Sequence, residues 1–193
     1  MEDRIKIVID AMGGDNSPWA LVEGAVLATK EHEDVFLYVV GPKQEIEAEL
    51  AKYEYNKDQI EVVDAPDVIT CHDHPVEAVR KKKDSSLIVG LNLVKEGKAE
   101  GLISAGSTGA VLVGGRMIVG RLKGIRRSPL APLIPREGGV SILIDCGANM
   151  DSRPTDLVQF AQMGSIYMKH IVGIENPRVA IVNVGAEEEK GNA

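Results

Sequence analysis

Short apolar runs alternate with longer helical patterns along this chain. Most of the runs are apolar at consecutive positions and rich in Val and Ile, which is typical of strands that are covered on both faces. We predict strands at Ile5–Asp10, Val35–Val40, Ile60–Val63, Gly101–Ser104, Val140–Asp145 and Val179–Val184. Strands of this kind separated by helices favour an α/β fold with a mostly parallel sheet between two helical layers, a three-layer α/β/α sandwich.

The intervening segments predict five helices. Ser17 followed by Pro18 has the pattern of an N-cap and a proline at the first helical position, and this helix is expected to reach about His32. The other helices are predicted at Lys43–Tyr53, Val76–Glu96, Thr108–Gly120 and Thr155–His170. Three prolines between Lys123 and Gly139 predict an irregular excursion or a short hairpin there.

The organisation indicates a single domain over residues 1–193. After the last predicted strand the alternation would continue with another helix, but the sequence ends at "VGAEEEKGNA". We therefore expect this domain to be an amino-terminal portion of a longer fold.

Four loops are predicted to meet at one edge of the sheet, because parallel strands all present their carboxyl ends to the same side. These loops are "AMGGD", "AGSTGA", "CGANMD" and "GAEEEKGN", after the first, fourth, fifth and sixth strands. Glycines allow a close approach of the backbone, and helix N-termini offer free N–H groups to an anion. The pattern predicts an anion site, most simply for phosphate.

The "SAGSTGA" loop is the strongest candidate, because it places hydroxyl groups and amides between a strand and a helix start. The plain alternative is a helix cap with glycines for the turn. Asp10 and Asp145, which close two strands, could contact a ligand or bond loop amides, and we expect them to anchor their loops. The predicted phosphate or substrate residues are Gly13, Gly14, Ser104, Gly106, Ser107, Thr108 and Gly109.

Charge and composition exclude several classes of partner. The chain carries 22 Lys and Arg against 29 Asp and Glu, a net charge of −7, so it offers no general attraction to nucleic acid. Its two cysteines, Cys71 and Cys146, do not form a disulfide pattern, which favours the cytoplasm. No segment has the roughly 20 apolar residues of a membrane span.

Several familiar motifs are absent. Neither GxGxxG nor GxxxxGK[ST] occurs, which disfavours nicotinamide cofactors and P-loop ATP binding. The "CHDH" stretch at Cys71–His74 has no second ligand pair, so we expect no metal site and no cofactor. An ATP-using enzyme of the sugar-kinase and actin type stays as an alternative, because "IDAMGGD" and "IDCGAN" resemble its paired phosphate loops.

A basic run lies on the third predicted helix, at Arg80, Lys81, Lys82 and Lys83. More cations follow at Arg116, Arg121, Lys123, Arg126 and Arg127. Such residues form either a solvated helix face or a docking patch for an acidic partner, which an acidic protein must build locally.

Seven blocks in order resemble the bacterial phosphate acyltransferase (PlsX) family. They are "IVIDAMGGDNSP", "AVRKKKDSSL", "ISAGSTGA", "VGRLKGIRRSPLAP", "LIDCGANMD", "LVQFAQMGSIYM" and "PRVAIVNVGAEEEKGN". The resemblance covers essentially the whole chain. It implies a fold similar to that of phosphotransacetylase and isocitrate dehydrogenase.

The resemblance also implies an activity and partners. Family members transfer a fatty acyl group from acyl carrier protein to inorganic phosphate, and the acyl phosphate then acylates glycerol phosphate in phospholipid synthesis. They form homodimers and contact the inner face of the membrane and the downstream glycerol-phosphate acyltransferase. On this hypothesis the catalytic residues are Asp15, Asn149 and Lys190, which provide orientation and charge balance, and the Arg80–Lys83 run meets the acidic carrier protein. A non-catalytic module that binds the carrier protein is a second alternative.

Overall fold

The computed structural model describes residues 4–185, 187 and 190 of the 193 in the chain. The chain forms two compact units, unit 1 over Met1–Gly120 and unit 2 over Arg121–Ala193. Unit 1 carries the parallel sheet, and unit 2 carries a hairpin and a long helix.

Unit 1 is built on a parallel sheet with the strand order β3-β2-β1-β4. Its strands are β1 (Ile5–Asp10), β2 (Val35–Gly41), β3 (Ile60–Asp64) and β4 (Gly101–Ile103). Its helices are α1 (Trp19–Glu31), α2 (Lys43–Leu50), α3 (Pro75–Lys81), α4 (Ser86–Lys95) and α5 (Thr108–Gly114), and a π-helical turn follows at Gly115–Val119. A helix follows β1 and the next strand is parallel to it, whereas the sugar-kinase and actin alternative requires a hairpin of strands at that point.

Both faces of this sheet are buried. On one face Ile9 packs with Val22 and Val26 of α1. On the other face Val8 is fully buried with Val40, and Leu93 of α4 packs against them. Neighbouring residues of one strand therefore enter opposite helical layers, as the continuous apolar runs predicted. The predicted three-layer α/β/α architecture is confirmed.

The predicted helix over Val76–Glu96 is two helices, α3 and α4, and the single long helix is wrong. The chain leaves helical geometry at Lys82, and the Ser85 hydroxyl donates to the Lys82 carbonyl at 2.8 Å. The amide of Ser86 donates to the carbonyl of Asp67 at 3.2 Å. Short polar side chains compete for backbone hydrogen bonds in this way, so the "KDSS" stretch ends one helix and starts the next.

Unit 2 contains the hairpin β5 (Leu133–Arg136) and β6 (Gly139–Ile142), followed by α6 (Pro154–His170). The short hairpin expected near Lys123–Gly139 is therefore present, although its second strand extends beyond that segment. The fifth predicted strand, Val140–Asp145, is wrong in its extent and its pairing, because β6 is antiparallel to β5 across a turn at Gly138, where φ is +74°.

The sixth predicted strand, Val179–Val184, is also wrong. In the part of the chain that the structure describes, this segment has no strand partner, and Ile181, Val182 and Val184 are each more than 80% exposed. Its apolar side chains meet the local requirement for a strand, but a strand also needs a ladder partner.

Among the described helices none has both the length and the apolar character needed to span a bilayer.

Candidate functional site

The carboxyl ends of β1 and β4 are neighbours in the sheet, with Ile9 paired to Ile103. Asp10 ends β1 and is only 3% exposed, and Ser104 directly follows β4. The Ser104 hydroxyl donates to Asp10 Oδ2 at 2.7 Å and accepts a hydrogen bond from the Gly106 amide at 3.2 Å. A buried carboxylate thus holds the second loop against the first. These contacts agree with the interpretation of Asp10 as a loop anchor.

The glycines of these two loops allow them to pack backbone against backbone. A Cβ at Gly13 would lie 2.5 Å from Asp10 Oδ2 and 2.6 Å from Ser104 Oγ, and one at Gly106 would lie 3.1 Å from Gly13 Cα. Gly14 adopts a φ of +137°, which side chains rarely permit. At Gly13 and Gly106, therefore, the space that a Cβ would fill is taken by the other loop and its anchor.

Three free amides of the site lie at the start of α5. The Ser107 hydroxyl caps this helix by accepting a hydrogen bond from the Ala110 amide at 3.3 Å. Within the described residues the amides of Ser107, Thr108 and Gly109 have no protein acceptor. The Gly106 amide is hydrogen-bonded to Ser104, so at the start of α5 the amides open to an anion are those three.

Gly13 and Asp15 differ in what they can offer. The Gly13 amide donates to the Asp10 carbonyl at 3.1 Å, and is therefore engaged within its own turn. Asp15 is exposed beyond the glycines. The predicted capping role of Ser17 is wrong, because its hydroxyl donates to the Gly14 carbonyl at 2.9 Å and the α1 N-terminus has no side-chain cap.

In unit 2 the Asp145 carboxylate organises the "CGANMD" loop. It accepts hydrogen bonds from the amides of Leu130 at 2.7 Å, Ala148 at 3.2 Å and Asn149 at 2.7 Å. Partial burial acts to raise the pKa of Asp145, but these bonds and one from the Asn149 side chain outweigh it, so the pKa lies below its ordinary value. Asp145 holds the loop, as the anchor interpretation requires.

Asn149 is bonded on all sides of its amide group. Its Nδ2 donates to Asp145 Oδ2 at 3.0 Å and to the Ser128 carbonyl at 3.2 Å, and its Oδ1 accepts from Arg127 at 3.3 Å. These contacts connect the loop to the segment before β5. The side chain therefore has a structural role here, beside any contact with substrate.

Asn149 and Lys190 line one cleft of unit 2, with a volume of about 900 Å³. Lys190 is exposed. Apolar side chains from β6 and α6 line the same cleft, among them Ile142 and Met168. The structure thus brings two of the three predicted catalytic residues to one surface, which combines polar groups with apolar walls. The third, Asp15, belongs to unit 1.

Two of the four cations in the basic run at the end of α3 make contacts within the chain. Lys82 Nζ lies 2.7 Å from Asp73 Oδ2 and donates to the Val68 carbonyl at 2.7 Å. The hydrogen bond from Lys82 to the Asp73 carboxylate, with one from the Thr70 amide, lowers the pKa of Asp73 to about 2. Lys81 pairs with Glu77 at 2.8 Å on the helix surface.

Two cations of the run remain without such contacts. Arg80 and Lys83 are exposed, and no carboxylate of the described chain lies within 4.0 Å of either. Lys82 is thus held by internal contacts, whereas Arg80, Lys81 and Lys83 are all exposed, and a docking role of the run stays a prediction.

A buried carboxylate that the sequence analysis missed lies at the start of α6. Asp156 is fully buried, and its oxygens lie 3.6 Å from Arg126 Nε and 3.6 Å from Arg127 Nε. It also accepts the Arg153 amide at 3.1 Å. An acid in the first turn of a helix that begins with a proline is a recognised sequence signal and could have indicated this position.

Comparison with known proteins gives consistent relatives. A family model described as "Fatty acid synthesis protein" matches residues 5–193. The phosphate acyltransferase of Clostridium botulinum (strain Alaska E43 / Type E3) is 53% identical over 188 residues, covering 97% of this chain and 56% of the relative. That of Clostridium novyi (strain NT) is 50% identical, covering 97% and 57%. The chain spans just over half the length of these curated relatives.

Two solved structures share the fold. A phosphotransacetylase from Streptococcus pyogenes matches with a TM-score of 0.66 and 22% identity, covering 89% of this chain and 55% of the other. The EutD phosphotransacetylase from Staphylococcus aureus matches with a TM-score of 0.60 and 21% identity, covering 82% and 51%. At this identity the likeness concerns the fold, and it agrees with the expected phosphotransacetylase-like architecture.

Proposed function

Since the chain belongs to the fatty acid synthesis protein family, we propose that it functions as a phosphate acyltransferase. The reaction transfers a fatty acyl group from the thioester of acyl carrier protein to inorganic phosphate, for use in phospholipid synthesis. The observation that carries this proposal is the 50–53% identity, over 97% of the chain, to relatives named phosphate acyltransferase.

The chemistry needs no nucleophile from the protein. A phosphate oxygen attacks the thioester carbonyl carbon, the C–O bond forms, and the C–S bond breaks to leave acyl phosphate and a thiolate. That thiolate is a good leaving group, since a thiol similar to that of cysteine has a pKa of about 8.5. The protein has to align the reactants and stabilise the negative charge that develops on the carbonyl oxygen.

The start of α5 suits the anionic reactant. The unpaired amides of Ser107, Thr108 and Gly109 would donate to phosphate or to the carbonyl oxygen, with the exposed Thr108 hydroxyl beside them. Gly13, Gly14, Ser104 and Gly106 would act through the shape of the paired loops. Asp10 is the positioning residue for Ser104, because it accepts that hydroxyl's hydrogen bond.

Asp15, Asn149 and Lys190 are proposed to orient the reactants and to balance charge. Asp15 is exposed beside the glycine loops, where a carboxylate would orient a protonated phosphate oxygen. In the unit 2 cleft the Lys190 ammonium would balance negative charge, Asn149 would contribute polar contacts, and the apolar walls are compatible with an acyl chain. The homodimer, the membrane contact and the glycerol-phosphate acyltransferase partner rest on the resemblance alone.

The decisive assay mixes the protein with acyl carrier protein thioester and phosphate, and follows thiol release while hydroxylamine traps acyl phosphate. We expect thiol release that depends on phosphate. No such release from the intact protein would refute the proposal. Magnesium-dependent ATP turnover would favour the kinase alternative, and tight carrier binding without chemistry would favour a non-catalytic binding module.

A matched pair of variants tests the site itself. Asp15→Asn removes an exposed carboxylate beside the proposed anion site, and we expect kcat/KM to fall about tenfold or more. Asp34→Asn removes an exposed carboxylate just before β2, at the opposite edge of the sheet, and should leave kcat/KM unchanged. Equal effects of both variants would contradict the assignment of Asp15.

A further inference from the structure

The cations of this acidic chain are unevenly distributed. Residues 101–136 contain six Lys and Arg and no Asp or Glu, although the whole chain has a net charge of −7. Four of the six lie within seven consecutive residues, "RLKGIRR", at 121–127. We call this stretch of unit 2 the basic turn.

The basic turn is held in a defined shape by α6. The Gln159 side chain donates to the Gly124 carbonyl at 2.8 Å and accepts the Arg126 amide at 3.1 Å. Within the turn, the Ile125 amide donates to the Leu122 carbonyl at 3.1 Å, and the Arg121 guanidinium donates to the Arg126 carbonyl. The charged side chains therefore project from a fixed backbone.

The structure divides the four cations into two pairs. Arg126 and Arg127 share the buried carboxylate of Asp156. Arg121 and Lys123 have no carboxylate within ion-pair distance in the described part of unit 2, and both are exposed. Leu122 lies between them and is 82% exposed. An apolar side chain between two cations that have no carboxylate partner, on a supported turn, is a surface to which charged and apolar contacts can be made together.

We propose that the basic turn docks an acidic protein. Arg121 and Lys123 pair with carboxylates of the partner, and Leu122 fills an apolar site among them. This rests on the function proposed above, in which the partner is the acyl carrier protein that delivers the thioester. An acidic partner is repelled by the net charge of this chain, so it needs a local cationic surface of this kind to approach.

A protein partner fits the basic turn better than a lipid surface. Membrane-surface segments bury a whole apolar helix face, whereas this turn offers one leucine. The planar fork of an arginine pairs geometrically with a carboxylate, and here the backbone that carries it is fixed. On this proposal the docking surface is the basic turn and not Arg80–Lys83, where Lys81 and Lys82 are each paired with a carboxylate.

The test compares two double charge reversals with the same change in net charge. Arg121→Glu/Lys123→Glu alters the basic turn, and Arg80→Glu/Lys83→Glu alters the exposed cations of the α3 run. Binding of dye-labelled acyl carrier protein is measured by fluorescence anisotropy at low and high salt. The first variant should weaken binding about tenfold or more and remove most of its salt dependence, whereas the second should change it less than twofold. Leu122→Gln should weaken binding without changing the salt dependence.

Each outcome bears on the inference separately from catalysis. The proposal would be overturned if both double variants lost carrier binding equally, or if Arg121→Glu/Lys123→Glu had no effect on it. It would also be overturned if the parent protein did not bind the carrier protein. If Arg121→Glu/Lys123→Glu lost binding to phosphatidylglycerol vesicles but kept its binding to the carrier protein, the proposal would also be overturned, in favour of a lipid surface. A parent that binds carrier protein through this turn but releases no thiol would support the docking surface and refute the proposed reaction. Transfer from a short pantetheine thioester should be unaffected by the first variant.

Discussion

Gly13→Ala tests whether the two glycine loops pack as closely as the structure indicates. The added Cβ would lie 2.5 Å from Asp10 Oδ2 and 2.6 Å from Ser104 Oγ, and both distances are well below van der Waals contact. Neither neighbour can move freely, because Asp10 is 3% exposed and the Ser104 hydroxyl donates a hydrogen bond to Asp10 Oδ2.

The cost follows from two contributions. Forcing a methyl group into a filled site typically costs about 1–3 kcal/mol. Moving Ser104 away breaks a hydrogen bond to a carboxylate, which contributes about 1.5–3 kcal/mol. If Ser104 moves away, the clash is relieved while the hydrogen bond is lost, so the two contributions do not add in full. We expect the free energy of unfolding to fall by about 3 kcal/mol.

Urea denaturation followed by far-UV circular dichroism measures this loss. Gly24→Ala is the matched control, since a Cβ there meets nothing within 4 Å and the position lies inside α1. Alanine should stabilise that helix by up to about 1 kcal/mol. In a Ser104→Ala background one clash and the hydrogen bond are gone, so Gly13→Ala should cost less than in the parent. A loss below about 0.5 kcal/mol in the parent would refute the close packing of the loops.

Three further changes test single contacts. Ser107→Ala removes the cap of α5 and should lower the free energy of unfolding by about 1 kcal/mol in the same denaturation assay. Asp145→Asn places an amide against backbone donors and should cost about 1–3 kcal/mol at pH 7; since the folded pKa of this carboxyl is depressed, the difference from the parent should shrink as the pH falls below about 4. Lys82→Met should return the Asp73 pKa from about 2 towards its ordinary value. The parent's stability from this pair is present above pH 4 or so and is lost as the pH falls towards 2, so acid titrations of Lys82→Met should show a smaller loss, whereas those of Lys81→Met should show the loss in full.

The sheet of unit 1 could be predicted from the chain alone because its strands are apolar on both faces. The bounds of β1 are those predicted, and β2 to β4 differ by one residue at one end. The same reasoning failed for Val140–Asp145 and Val179–Val184. An apolar run indicates that a segment can pair, but the partner is determined by what lies beside it, and for β6 that is the preceding strand of a hairpin.

The candidate site divides in the same way. The sequence by itself determined which glycines, hydroxyls and acids stand at the carboxyl ends of the strands. Parallel pairing then brings the ends of β1 and β4 together. Only the tertiary structure decided what each group does: Gly13 and Gly106 make room for another loop, and the amides left open at the start of α5 are those of Ser107, Thr108 and Gly109. Local pattern reports which residue types are available, whereas distances between segments far apart in the chain determine which of them are already paired.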